Sequence, residues 1–295
     1  MRLRDAALLI VCLVLAACAS ASAGSPRPHT LVDAAPITDK VLVIIIENHA
    51  LAQVKTDAPF TYALGTTYGL GTNMVAITHP SKPNYAAIAA GSTMGLTSDS
   101  SKRVKGQSVF GATIKAGRSA KAMMEGMGTD RCRHTSSSAK AGYVEKHDAP
   151  EFFSDESATC ERYVFSYDKY GASDIAAGKL GNVELLVPNQ CNNAHNCSLK
   201  TFDAWMRKTW ARIVAGPDWK SGRLTVVITA DEDDKKHGNV IPLIVAHPSL
   251  SHKVVTSKLT LYSLHRLLAQ FGHTPPMAGG KTAPDMAAAF GLQVQ

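Results

Sequence analysis

Three short stretches of the chain combine residue types that do chemistry. In VLVIIIENHA, residues 41–50, six apolar residues run straight into Glu47, Asn48 and His49. In ITADEDDKKHG, residues 228–238, another apolar run ends in Asp231, Glu232, Asp233 and Asp234. In ITHPSKPNYAAIAAGS, residues 77–92, Ser81 stands between two prolines at the threshold of a small-residue segment. Carboxylates and an amide oxygen brought together suit a hard divalent cation, because like charges at close range disfavour one another unless a cation neutralises them. A serine at a helix start ordinarily caps the helix. In the same place it can serve as a nucleophile, because a bound cation acidifies a hydroxyl.

The elements that must position these groups are legible from periodicity. Val41–Ile46 and Leu224–Ile228 read as strands buried on both faces, and NVELLVPNQ and VIPLIVAHP as two more. Residues 201–214 place Phe202, Trp205, Met206, Trp210 and Ile213 near one helical face, and residues 257–270 do the same with Leu259, Tyr262, Leu264, Leu267 and Leu268. Strands alternating with helices predict an α/β fold with a mostly parallel sheet flanked by helices. Such sheets bind ligands beyond the carboxyl ends of their strands. The ends carrying Glu47-Asn48 and Asp231-Glu232 are expected to meet there. Met74–Ile77 is expected to be a short strand that delivers Ser81 to the same edge, with Pro83 in the first helical turn and Gly91 closing the helix. DEDD alone also reads as a solvated acidic turn. Glu47 does not, since no turn signal separates it from the apolar run. Residues 128–180 are expected to be irregular and pinned by Cys132 and Cys160.

The 295 residues, 45% of them hydrophobic, suffice for one large core, predicted over residues 39–295. Residues 1–17 read as a signal peptide, with Leu15-Ala16-Ala17-Cys18 resembling a bacterial lipobox and Cys18 the expected lipid-bearing residue. Cleavage after Ala21-Ser22-Ala23 is the alternative. Residues 18–38, rich in Ala, Ser and Pro, then form a tether. The formal charge is +7. Loss of Arg2, Arg4 and Asp5 with the leader lowers it by one. A mildly basic exported protein suits anionic substrates, and with aromatics at 6% and no basic stripe the sequence does not argue for nucleic acid. Cys132, Cys160, Cys191 and Cys197 allow two disulfides in three connectivities. Zinc is the alternative, but there is no C-x₂-C spacing.

In order along the chain, IIIENHA, THPSKPNYAAIAAGSTMG, MEGM, KHDAPEFF, PNQCNNAHNCS, FDAW and TADEDD…HGNVIPLIVAHP resemble the bacterial and fungal phosphoesterase family of acid phosphatases and phospholipases C. DMAAAFGL extends the likeness almost to the C-terminus. The family is related in fold to alkaline phosphatases, which implies their layered α/β sandwich. The resemblance implies that Glu47, Asn48, Asp231, Glu232 and Ser81 hold one divalent metal, with Mg, Mn or Ca favoured by oxygen ligands. It makes Ser81 the nucleophile and Asn84 a donor to a phosphoryl oxygen. His79 and His195 become candidates to bind the phosphoryl group or protonate the leaving oxygen. His147 is a weaker candidate, equally readable as structural. The chain departs from the family pattern at Asn192-Asn193, where Asn-Asp is common, and at Asn239-Val240, where Asn-His is common, with His237 two residues earlier.

The function expected is hydrolysis of a small phosphorylated substrate through a phosphoserine, as in acid phosphatases. A phospholipase C-like phosphodiesterase and an inactive envelope protein that binds phosphorylated ligands are the alternatives. Cys191–Cys197 is expected to close a small loop that holds His195 rigid, leaving Cys132–Cys160 as the larger one.

Overall fold

The computed structural model describes residues 37–128, Cys132 and residues 142–295. The expected signal peptide, Cys18 and all but the last two residues of the expected tether lie outside the described residues. The strands are β1 (Ile37–Thr38), β2 (Lys40–Ile46), β3 (Gly69–Val75), β4 (Ala120–Met124), β5 (Val164–Ser166) and β6 (Val183–Val187). They continue with β7 (Leu224–Ala230), β8 (Val240–Ala246), β9 (Lys253–Val255), β10 (Leu259–Thr260) and β11 (Gln293–Val294). The main sheet runs in the order β10-β3-β8-β7-β2-β6-β4-β5, with β9 beside β3. Every pairing in it is parallel except those of β8, which runs antiparallel to β3 and β7. β1 pairs with β11 in a separate parallel ribbon, so the last two residues assigned to the tether are strand.

β2 is the centre of the sheet, and all seven of its residues are buried. Its β-branched run is what a strand covered on both faces requires. On one side it pairs with β6 and on the other with β7, where Ile46 stands opposite Ala230. Glu47 and Asp231 therefore leave the sheet side by side. This is the convergence that the two acidic strand ends predict.

The expected helices form with small shifts. Leu199–Ala215 buries Phe202, Met206, Trp210 and Ile213 at three- and four-residue spacing and is capped by the Ser198 hydroxyl. The helix expected from residue 257 begins at Leu261, because Leu259–Thr260 pair with β3 as β10. β3 starts at Gly69, earlier than the expected Met74, and its glycines mask it in sequence. A Cβ at Gly71 would lie 2.6 Å from the Leu243 side chain of β8, so close strand packing selects glycine there.

The Ser81–Ala90 helix is buried along its whole length, which its alanines permit. It stops at Gly91, whose φ of 65° suits a left-handed C-cap and where a Cβ would meet the Met277 carbonyl oxygen at 2.3 Å. The stretch expected to be irregular is so only in part. Four 3₁₀ turns between Glu145 and Arg162 give way to β5 and to a helix over Tyr167–Ala177. A three-residue strand and a short helix with Gly171 within it carry little periodicity for the sequence to display. The disulfides are Cys132–Cys160 and Cys191–Cys197, the expected pairing, which removes these cysteines from zinc binding. No helix among the described residues is long and apolar enough to cross a membrane.

Candidate functional site

Glu47, at the end of β2, is fully buried, and four groups converge on it. Tyr85 Oη donates a short hydrogen bond to its Oε1. Ser81 Oγ lies 3.4 Å and His147 Nε2 3.2 Å from its Oε2. Its backbone N–H donates to the Asn193 carbonyl at 2.9 Å, tying it to the Cys191–Cys197 loop. Asn48 turns the chain with φ of 56°, a left-handed conformation that asparagine tolerates, and its N–H donates to Asp231 Oδ1 at 3.1 Å. Asp231 is itself anchored to β2, its N–H donating to the Ile46 carbonyl at 3.3 Å.

Ser81 is not a capping serine. The cap position is Pro80, no side chain caps this helix, and Ser81 is its first residue. The hydroxyl, freed from capping, faces the carboxylates. Asn84 and Tyr85 follow three and four residues later, one turn along the same face. Asn84 lies on the serine turn, as expected, and is hydrogen-bonded there. Its Oδ1 accepts from the Ile77 and Thr78 amides at 3.1 Å each, and its Nδ2 donates to Thr78 O, Pro80 O and Glu232 Oε2. These contacts tie Asn84 to the 77–80 turn and to Glu232. The turn carries His79, whose Nδ1 lies 3.0 Å from Glu232 Oε2 and whose Nε2 lies 3.1 Å from Asp233 Oδ1.

His195 sits on the cleft wall within the small disulfide loop. Its N–H donates to Asn193 Oδ1 at 2.9 Å, and its Nδ1 lies 2.7 Å from Asn196 Oδ1. Asn193, a departure from the family pattern, keeps an acceptor for His195. It also donates to Gln190 Oε1 at 3.2 Å, which a carboxylate could not do. Asn239 bridges the acidic loop to the serine turn, accepting from the Asp233 amide and donating to Thr78 O. Val240 lines an apolar cavity beside the site. A cleft of about 340 Å³ is bordered by Ser81, Asn48, Glu232 and His195, with Lys146 and Lys235 as its cationic side chains.

Burial sets the electrostatics. It raises Glu47 well above the ordinary carboxylate range, reinforced by the neighbouring Asp231. Burial also raises Asp231, and burial with Asp231 and Asp99 pushes Glu232 up to about 8. Burial, with Lys146 and His195 nearby, takes His147 well down, so this ring stays neutral. Asn48 Oδ1 and Asp231 Oδ2 are buried without a hydrogen-bond partner. Unpaired buried oxygens amid carboxylates that resist ionisation fit a divalent cation, which would satisfy both deficits. A tighter group, Asp233, Asp234 and His237, has side-chain atoms within 4.8 Å of one another. Its oxygens are already taken. Asp233 accepts from the Lys235, His237 and Asn239 amides, and Asp234 from the Lys236 amide and the His237 ring. These bonds lock a loop.

Sequence reasoning missed Tyr85 and Lys146 and under-weighted His147, which stacks on Tyr85 with ring centroids 5.1 Å apart. Tyr85 had a signal, a tyrosine one helical turn after Ser81 in a run of alanines. Lys146 lies in a segment without periodicity and is brought to the cleft by an ion pair with Asp99 at 2.8 Å.

A mostly parallel sheet flanked by helices, with polar groups gathered at its strand ends, is the α/β architecture of the alkaline phosphatase superfamily. An alkaline phosphatase superfamily protein from Vibrio parahaemolyticus shares the fold, with a TM-score of 0.55 and 10% identity over 81% of this chain and 67% of that one. Residues 40–263 match the Phosphoesterase family, and the chain belongs to it. It is a hydrolase acting on phosphoric ester bonds. A Mycobacterium tuberculosis phosphatidylinositol-3-phosphatase is 28% identical over 90% of this chain and 87% of that protein. An Aspergillus fumigatus acid phosphatase is 24% identical over 55% of this chain, which spans only 38% of that protein.

Proposed function

We propose that the chain is an exported, divalent-metal-dependent phosphomonoesterase that works through a phosphoserine on Ser81. The observation that carries this reading is the Ser81 hydroxyl, released from capping and 3.4 Å from a buried Glu47 in a pocket with unpaired oxygens on Asn48 and Asp231. A divalent cation held by Glu47, Asn48, Asp231, Glu232 and Ser81 would supply the charge that acidifies the serine hydroxyl and offsets the phosphoryl oxygens. Oxygen donors favour magnesium, manganese or calcium.

Ser81 Oγ gives up its proton to water in the cleft and attacks phosphorus in line, and the new Oγ–P bond forms as the ester P–O bond breaks. His195, on the cleft wall, is the candidate to protonate the departing alkoxide. Water then attacks the phosphoserine, restoring the hydroxyl and releasing phosphate. Tyr85 and His147 hold Glu47, Asn84 holds the serine turn, and His79 is fixed between Glu232 and Asp233. The names of the curated relatives, both phosphatases, support monoesters over diesters. Two disulfides support export to an oxidising compartment. Residues 1–17 as a leader, Cys18 as a lipidated anchor and residues 19–36 as a tether complete the proposal from the sequence.

The test is turnover of p-nitrophenyl phosphate and of its bis ester, before and after chelation and with divalent ions restored. Monoester hydrolysis that chelation abolishes and one of these ions restores is the expected result. Full activity in a metal-free preparation refutes the metal, and faster turnover of the bis ester refutes the monoester assignment.

A further inference from the structure

Beside the cleft lies a second cavity of about 420 Å³ with a different character. Leu51, Tyr62, Leu70 and Val240 line it, Lys55 stands at its rim, and no carboxylate contributes to its wall. Both of its sides continue from the catalytic site. Ala50 and Leu51 follow Glu47–His49 along the chain, and Val240 follows Asn239, which accepts from the Asp233 amide. The partition between the two cavities is Asp234. It borders the cleft and accepts at 2.7 Å from the ring of His237, which borders the apolar cavity. Gln53 Nε2 supports the partition at 3.3 Å. The cavity opens outward, since Lys55 and Thr72 are exposed. It is not an internal packing void.

We propose that this cavity is a subsite for the hydrocarbon arm of a soluble phosphomonoester whose phosphoryl group lies at Ser81. The proposal rests on the phosphomonoesterase reading above and names the substrate class. The acidic cleft would select the phosphoryl end through the proposed cation and its lysines, and Pro80 is its one apolar lining side chain. The neighbouring cavity is the converse, apolar and without an anion-binding group facing inward. Lys55 lies 6.0 Å from the Tyr62 ring centroid and closes the rim without charging the floor. The volume is in the range of small-ligand pockets and too small for a protein surface. The Asp234–His237 pair stands between the compartments, so an amphiphile long enough for its chain to pass that pair matches both.

The experiment measures kcat/KM for n-alkyl phosphates from methyl to hexyl, in the wild type and in Leu51→Gln and Tyr62→Gln. Both residues are half-buried on the cavity wall and outside the catalytic machinery. In the wild type, kcat/KM is expected to rise by about fourfold for each methylene withdrawn from water. Both variants should flatten that rise while keeping kcat/KM for methyl phosphate within about twofold of wild type. A flat wild-type series, or a rise unchanged in both variants, overturns the subsite. Calorimetric binding of the matching n-alkylphosphonates separates the two readings. If affinity climbs with chain length and falls in the variants while no phosphate ester is hydrolysed, the subsite stands and the phosphomonoesterase reading fails. If hydrolysis proceeds and phosphonate affinity ignores chain length, the reverse holds.

Discussion

Replacing Ser81 with alanine removes one oxygen from a fully buried position and separates chemistry from stability. The helix loses no cap, because Pro80 occupies that position and no side chain caps it. Asp231 loses the serine hydroxyl as a neighbour, and the hydrogen bond to Glu47, at 3.4 Å, is near the outer limit of useful geometry. A hydrogen bond of ordinary geometry contributes about 1 kcal/mol net, so this one contributes less. Glu47 keeps the Tyr85 hydroxyl and the His147 ring, and alanine suits the first turn of a helix. The melting temperature is therefore expected to fall by no more than about 3 °C. Turnover should fall by at least about a thousandfold, since only binding and electrostatic contributions remain once a nucleophile is gone. The assay pairs thermal unfolding with p-nitrophenyl phosphate hydrolysis, and mass spectrometry of acid-quenched wild-type enzyme looks for phosphate on the Ser81 peptide. A natively stable Ser81→Ala protein that keeps more than about a tenth of wild-type turnover refutes the nucleophile. Phosphate trapped on any other residue refutes it equally.

Tyr85→Phe removes the hydroxyl that donates to Glu47 and is expected to cost about 1–3 kcal/mol of stability, because a buried carboxylate loses a partner; unfolding with and without divalent ion measures it, and most of the loss should vanish when the ion is present. In the metal-free protein, the folded state keeps a proton on Glu232 up to about pH 8, against the ordinary value of 4.5. Stability is then full below the ordinary value and declines as pH rises through the folded one, since the folded state binds the extra proton. Denaturant titrations across that window should show the decline, and saturating divalent ion should abolish it; a metal-free protein that gains stability with rising pH there contradicts the burial argument. Cys18→Ser should release a soluble, active enzyme or block leader processing, and an unmodified mature start at Gly24 by mass spectrometry rejects the anchor while leaving the hydrolase intact.

Glu47 was readable because burial leaves a local trace. Six apolar residues without a turn signal place whatever follows at a sheet edge, and the same holds for Asp231 at the end of β7. Their meeting follows from β2 and β7 being neighbours, an outcome of topology rules that operate over the 183 positions separating Asn48 from Asp231. The side chains that tune Glu47 leave no such trace. Tyr85 lies on a helix buried on every side, where apolar periodicity has no contrast, and His147 lies in a 3₁₀ turn with no periodicity. Asn84 shows the other limit. The sequence places an asparagine three residues after Ser81 but carries no sign of its five hydrogen bonds to the turn and to Glu232. Motif spacing thus places polar groups at a site, and only their hydrogen-bond partners decide which remain free for substrate. By that criterion the groups around the pocket without a hydrogen-bond partner are Asn48 Oδ1, Asp231 Oδ2 and the ring nitrogens His79 Nδ1 and His147 Nε2, and in the proposed reading it is the two oxygens that meet the cation.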